Sequence, residues 1–191
     1  LSQSIHVNSS GNSLLDVTAN NNNSGIVFSG SNILSNITAN GNLLSGVFLN
    51  TASYSSLSNI TVGNNGGVGL NFFNSRNNFL SNITSANSLG VGFNFANSSN
   101  NITLENATIS DNGNIGIFLL SSTNNYFTGL FKIGSNVTAN CDGAGTGTGI
   151  NNDCTPEGSS DHALTTGVTL AASFVGKVTT NDTVNVSDTN G

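Results

Sequence analysis

One stretch of this chain is written three times over. Leu34 to Ser56 reads LSNITANGNLLSGVFLNTASYSS, Leu57 to Phe79 reads LSNITVGNNGGVGLNFFNSRNNF, and from Leu80 the chain begins again as LSNITSANSLGVGFNFANSSNN. A repeat of this length restricts the fold before anything else is considered, because each unit has to bury its apolar residues against its neighbours. Aligned on the residue inside S-N-I-T, an aliphatic column appears: Val17, Ile37, Ile60, Ile83 and Ala107, with steps of 20, 23, 23 and 24 residues. A glycine column follows at Gly25, Gly46, Gly69, Gly92 and Gly116. After each glycine come two apolar residues separated by one: Ile26/Phe28, Val47/Leu49, Leu70/Phe72, Phe93/Phe95 and Ile117/Leu119. A third apolar column falls at Leu14, Leu34, Leu57, Leu80 and Leu104.

Each patch alternates with period two, as in Ile37-Thr38-Ala39 or Val47-Phe48-Leu49, which is the period of a strand. A strand of two or three residues is not stable alone, but stacked under its copy from the next period it hydrogen-bonds on both sides and its inward residue joins an apolar column. The pattern predicts an all-β parallel solenoid with three short strands per coil of ~23 residues. A helical solenoid needs ten or more residues of period 3.6 in each unit, and no unit has them. The 36 asparagines, 23 glycines and single proline agree, being rich in residues that tolerate left-handed turns. The core predicted from the columns is Val17, Leu34, Ile37, Val47, Leu49, Leu57, Ile60, Leu70, Phe72, Leu80, Ile83, Phe93, Phe95, Ile117 and Leu119.

The pattern N-x-Φ-x-N-x-x-x-x-N-x-x-x-G-Φ-x-Φ-x-x-S-x-x-N, running from about Ser4 to Phe127, resembles the repeat of right-handed parallel β-helix proteins. That group takes in NosD-type periplasmic proteins, surface-layer and adhesin-like proteins, and relatives of pectate lyase. The resemblance implies a right-handed coil and an exported, cell-surface or extracellular protein. It implies no single activity, because one scaffold carries many.

Coils run roughly over 14–33, 34–56, 57–79, 80–103 and 104–126, a stack about 25 Å tall at the sheet spacing. The chain opens in mid-coil at Ser4-Ile5-His6-Val7, so Leu1 reads as an internal position rather than a natural terminus. Asn and Ser turns at Ser31-Asn32, Ser55-Ser56, Asn77-Asn78, Asn100-Asn101 and Asn124-Asn125 close the coils, with amide ladders expected up the stack. From Phe127 the register decays: Leu130 still fits, whereas Phe131-Lys132-Ile133 does not. The division expected is 1–140 for the coils and 141–191 for a loop plus irregular β coils or a following module. Cys141 and Cys154, the only cysteines, frame a glycine-rich segment and suggest the disulfide-closed loop of an exported protein. Asp142, Asp153, Glu157 and Asp161 gather there without the spacing of a calcium loop. No 18-residue apolar run is present, so no membrane-spanning helix is expected.

Function has to sit on the outward faces. Beside the Ile37 column stand Asn36, Asn59, Asn82 and Asn106, with Asp16 below, and Thr18, Thr38, Thr61, Thr84 and Thr108. Threonine is an ordinary exposed strand residue; the sharper reading is a polar ladder matched to a repeating ligand. Asn36, Thr38, Asn59, Thr61, Asn82, Thr84, Asn106 and Thr108 are therefore the candidate ligand contacts. A second outward column, Val27, Phe48, Asn71, Asn94 and Phe118 with Phe73 close by, makes Phe48, Phe73 and Phe118 candidates for self-association. Catalysis on polysaccharides needs clustered carboxylates and a basic residue. The clear coils hold only Asp16, Glu105 and Asp111, the chain has one arginine (Arg76), and His6 and His162 lie at its irregular ends. No catalytic residue, metal site or cofactor is expected. Three basic residues against a net charge of −6 disfavour nucleic acid and anionic membranes as partners. The reading is a non-catalytic structural or adhesive segment that binds a surface glycan or copies of itself. The alternatives are a polysaccharide-active lyase, epimerase or hydrolase and, third, an ice- or lattice-binding face.

Overall fold

The computed structural model describes residues 3–134, 136 and 139–144. Short strands β1 (Ile5–Val7), β3 (Ile26–Phe28), β5 (Val47–Asn50), β7 (Leu70–Phe73), β9 (Phe93–Ala96), β11 (Ile115–Leu120) and β13 (Ala139–Ala144) stack in that order into one sheet. Between them run β2 (Ser13–Leu15), β4 (Ile33–Asn40), β6 (Ser56–Gly63), β8 (Phe79–Ala86), β10 (Thr103–Ser110) and β12 (Tyr126–Gly134), which stack into a second. Every pairing is parallel, and each strand pairs with the one a full coil away. This is the predicted all-β solenoid.

The three apolar patches of each coil are carried by two strands because the longer one is bent. Asn36, Asn59, Asn82 and Asn106 adopt φ between 53 and 55°, and the ladder steps over them, pairing Ser35 with Ser58 and then Ile37 with Ile60. Leu57 thus faces one side of the core and Ile60 another. Left-handed residues also mark the ends of the strands. They lie after the short strand (Thr51, Asn74, Asn97, Ser121), before the long one (Tyr54, Asn77, Asn101, Asn124) and after it (Asn21, Asn64, Asn87, Asp111). Twelve of the eighteen left-handed non-glycine residues are asparagine, so the abundance of that residue answers a backbone requirement.

The expected core is buried with one exception. Val17 is only partly buried, packed against a cluster that has no rung beneath it among the described residues. The columns omitted a third inward position on the long strand, filled by Ala39, Val62, Ser85 and Ile109. Phe72 stacks on Phe95 at 4.7 Å between ring centroids, and Phe93 and Phe127 meet Phe95 edge-on or tilted. The glycine column is steric. A Cβ on Gly69 would meet Ser85 Oγ, Gly92 O at 2.7 Å and Val62 Cγ2 at 3.1 Å, and one on Gly92 would lie 2.6 Å from Gly116 O.

Polar side chains turn inward at the corners and satisfy backbone that the ladders leave over. Asn42 donates its backbone N–H to Asn65 Oδ1, Ser88 to Asn112 Oδ1, and Asn112 to Asn136 Oδ1. At a second corner Asn32 donates to Ser55 Oγ, Ser55 to Asn78 Oδ1, and Ile102 to Asn125 Oδ1. Of the turn pairs expected from sequence, Asn77-Asn78 and Asn124-Asn125 divide into a left-handed residue and a buried acceptor, whereas at Ser55-Ser56 the left-handed residue is the preceding Tyr54. Ser55 consequently stacks on Asn78, one position away from the alignment read from the sequence.

Beyond Phe127 the ladder persists. Thr103 to Glu105 pair with Tyr126 to Thr128, the register shifts by one residue at the bend, and Ala107-Thr108-Ile109 then pair with Phe131-Lys132-Ile133. The expectation that Leu130 fits and Phe131-Lys132-Ile133 does not is therefore corrected: an extra residue at the corner hid the match. In the short-strand sheet Ile117 pairs with Cys141 and Leu119 with Gly143. The expected Cys141–Cys154 bridge, the acidic residues from Asp153 onward, His162 and the strand-like stretch from Leu164 fall outside the described residues.

Candidate functional site

The threonines form one continuous register. Thr18 bridges to Thr38, Thr38 pairs with Thr61, Thr61 with Thr84, and Thr84 with Thr108. All five are at least part-exposed, and their spacing is that of the sheet, ~4.8 Å. Lys132 occupies the next rung. This ladder lies on the flat part of the long strands.

The asparagine column does not share that flat. Because Asn36, Asn59, Asn82 and Asn106 sit at the bend, they form the corner beside the threonines rather than a second row on one plane. Their side chains are spoken for within the stack: Asn36 Nδ2 donates to Asp16 Oδ1, Asn59 Nδ2 to Asn36 Oδ1, and Asn82 Nδ2 to Asn59 Oδ1. A ladder of this kind consumes one donor and one acceptor per residue.

On the short-strand sheet, Val27, Phe48, Asn71, Asn94 and Phe118 are in register as expected. The phenylalanines do not meet. Asn71 and Asn94 separate Phe48 from Phe118 and bond to each other through Asn94 Nδ2 and Asn71 Oδ1 at 2.9 Å. Phe73 stands in the adjacent column, opposite Asn50 and Ala96.

The acids are dispersed. Asp16 lies at the lowest bend, four rungs below Glu105 in the neighbouring column, and Asp111 occupies the left-handed corner at the far end of β10. Among the described residues no group of three or more His, Cys, Asp or Glu side chains converges to hold a metal ion, and no helix is long and apolar enough to cross a membrane.

A further exposed column escaped the sequence reading. Ile33, Ser56, Phe79, Thr103 and Tyr126 are in register at the start of the long strands, and Ile33, Phe79 and Tyr126 are 53, 43 and 45% exposed. Tyr54, 73% exposed, sits at the corner just before this column. Its N–H donates to the carbonyl of Arg76 one rung above. These residues occur where the repeats join, and there the sequence pattern reads as turn; only the recurrence of a bulky residue at Ile33, Phe79 and Tyr126 signals them.

Among solved structures, the chain is similar to the periplasmic alginate epimerase AlgG at 18% identity and a TM-score of 0.56, covering 65% of this chain and 30% of that one. It is also similar to the enzymatically active domain of tailspike protein 2 from bacteriophage CBA120, at 15% identity and a TM-score of 0.51, covering 69% and 24%. The chain thus spans less than a third of either protein, and at these identities the likeness concerns the fold. No curated protein matches the chain. The model of the right-handed β-helix region matches residues 3–155, most of the sequence. The stacked parallel coils and the match over that span agree: this chain belongs to the right-handed β-helix region family.

Proposed function

We propose that this chain is a non-catalytic structural or adhesive β-helix segment of an exported cell-surface or fibre protein, engaging glycans or its own copies through its outward faces. The observation that carries the reading is the threonine ladder from Thr18 to Thr108, five rungs of one hydroxyl-bearing residue in unbroken register on a rigid sheet. Such a surface offers a repeating set of donors and acceptors to a repeating ligand without side-chain ordering on contact. Among the described residues the dispersal of Asp16, Glu105 and Asp111 favours binding over hydrolysis or elimination, which require acid and base within reach of one bond. The periplasmic location of one structural neighbour and the phage origin of the other support an exported protein.

A second reading, a polysaccharide-active enzyme, draws support from the same neighbours, an epimerase and an enzymatically active tailspike domain. Light scattering and negative-stain electron microscopy of the native particle, followed by glycan binding and cleavage assays, separate the two. Fibres, sheets or saturable binding without turnover support the first reading. Release of oligosaccharides by the purified chain overturns it in favour of the second.

A further inference from the structure

We infer that the corner bearing Tyr54, Arg76, Phe79 and Tyr126 is a ledge that binds an extended, uncharged, diequatorially 1,4-linked glycan running along the solenoid axis. The inference rests on the glycan-binding half of the proposed function and gives it a location other than the threonine ladder. Both tyrosines of the chain and its only arginine fall at this one corner. Phe79 and Tyr126 occupy one column two rungs apart, with Thr103 between them, so their Cβ atoms leave the sheet on the same side at a separation of about 10 Å. Ile33 continues the column two rungs below Phe79, with Ser56 between.

Bulky residues separated by small ones make discrete platforms rather than a continuous apolar patch, which argues against a protein partner. A glycan of this linkage advances by about one rung per ring and turns each ring over relative to the last. Alternate rings therefore present the same face, and that face meets a platform at every second rung. Tyr54 supplies the independent sign that this corner is not merely turn. It holds φ of 59°, at a position filled by asparagine at Asn77, Asn101 and Asn124, and an aromatic residue pays for that conformation while burying little of its ring.

Charge selects the class of sugar. The chain carries a net charge of −6, so a polyanion approaching the ledge is opposed by the field of the whole chain and met by one guanidinium. Arg76 donates from Nε to Ser98 O at 3.3 Å and from Nη2 to Asn74 Oδ1 at 3.5 Å, which draws its side chain toward the rung above Phe79 and leaves its remaining terminal N–H groups for sugar hydroxyls.

The test exploits the absence of tryptophan: with both tyrosines on the ledge, tyrosine emission reports its occupancy directly. The full chain is titrated with cellohexaose, mannohexaose and chitohexaose, with maltohexaose as the α-linked control, and binding is confirmed by calorimetry. We expect saturable binding and an emission change with at least one β-1,4 hexasaccharide and none with maltohexaose. Phe79→Ala and Tyr126→Ala should each weaken it tenfold or more, Phe79→Tyr should retain it, and Phe48→Ala should leave it unchanged. Calorimetric binding that survives Phe79→Ala and Tyr126→Ala but is lost in Thr61→Tyr overturns the ledge and leaves the threonine ladder as the glycan face. Absence of binding to all the β-1,4 hexasaccharides overturns the ledge; absence of binding to acidic glycans as well removes the glycan half of the proposed function.

Discussion

Replacing Asn65 by alanine tests how the solenoid is held together. Asn65 is fully buried at the corner where the long strand ends. Its Oδ1 accepts the backbone N–H of Asn42 at 3.0 Å and Asn42 Nδ2 at 3.1 Å, and its Nδ2 donates to Ala39 O at 3.2 Å. Truncation removes three hydrogen bonds, each contributing about 1 kcal/mol, and leaves the Asn42 N–H without an acceptor in a site closed to solvent. Adding the cost of a stranded buried donor, the loss comes to about 3–5 kcal/mol, a large fraction of the stability of a single domain. Urea denaturation followed by circular dichroism should show the midpoint falling at an unchanged slope. A loss below about 1 kcal/mol would refute the reasoning, because the corner would then be held by the strand ladders alone.

The chain contains its own counterpart to that experiment. At the next rung the asparagine is replaced by Ser88, 1% exposed, whose Oγ has no hydrogen-bond partner. Asn65 reaches Ala39 O across 26 residues and Asn112 reaches Ser85 O across 27. An asparagine at 88 would by the same geometry reach the carbonyl of Val62 and offer its Oδ1 to the N–H of Asn65. Ser88→Asn is therefore expected to stabilise by about 1–2 kcal/mol, and a decrease in the urea midpoint would contradict the ladder model.

Three other substitutions probe different links. Ile60→Asp places a carboxylate at a 1% exposed position in the central coil and should abolish cooperative unfolding; a variant with a wild-type melting curve would sink the solenoid core. Gly69→Ala drives a Cβ against Ser85 Oγ and Gly92 O and should cost about 1–3 kcal/mol by thermal or urea unfolding, with an unchanged variant showing the glycine column to be dispensable. Thr61→Tyr, on an exposed rung, should leave the melting temperature within a few degrees while removing any activity that depends on a flat threonine face, whether glycan or ice-lattice binding; retained activity would take the ladder out of the reading.

What was legible in the sequence follows from what a repeat encodes. A residue that must be apolar in every coil leaves a column, so the Ile37, Leu34 and Val47/Leu49 series could be placed without coordinates. The glycine column was equally visible, but its cause was not, because the obstruction at Gly69 is the carbonyl of a residue one coil away. The Asn36 series is visible as well, but its place at a bend is not. Period-two alternation cannot distinguish an outward strand residue from a left-handed residue at a bend, and only the skipped rung between Ser35 and Ile37 settles it. Phe131 to Ile133 are hidden by a single inserted residue, which offsets every later position in the sequence alignment while the backbone pairing recovers within one step.

The exposed corner was illegible for a further reason. Its residues obey no apolar column, since nothing in the fold requires Ile33, Phe79 or Tyr126 to be bulky where Ser56 and Thr103 serve as well. In a chain whose inward positions are dictated by stacking and whose turns are dictated by left-handed backbone, selection for a ligand has freedom only at outward positions of this kind. Departures from the repeat are therefore more informative about function than the repeat itself. By that criterion Tyr54, which replaces an asparagine at a left-handed position and exposes its ring, points to function more directly than any rung of the threonine ladder.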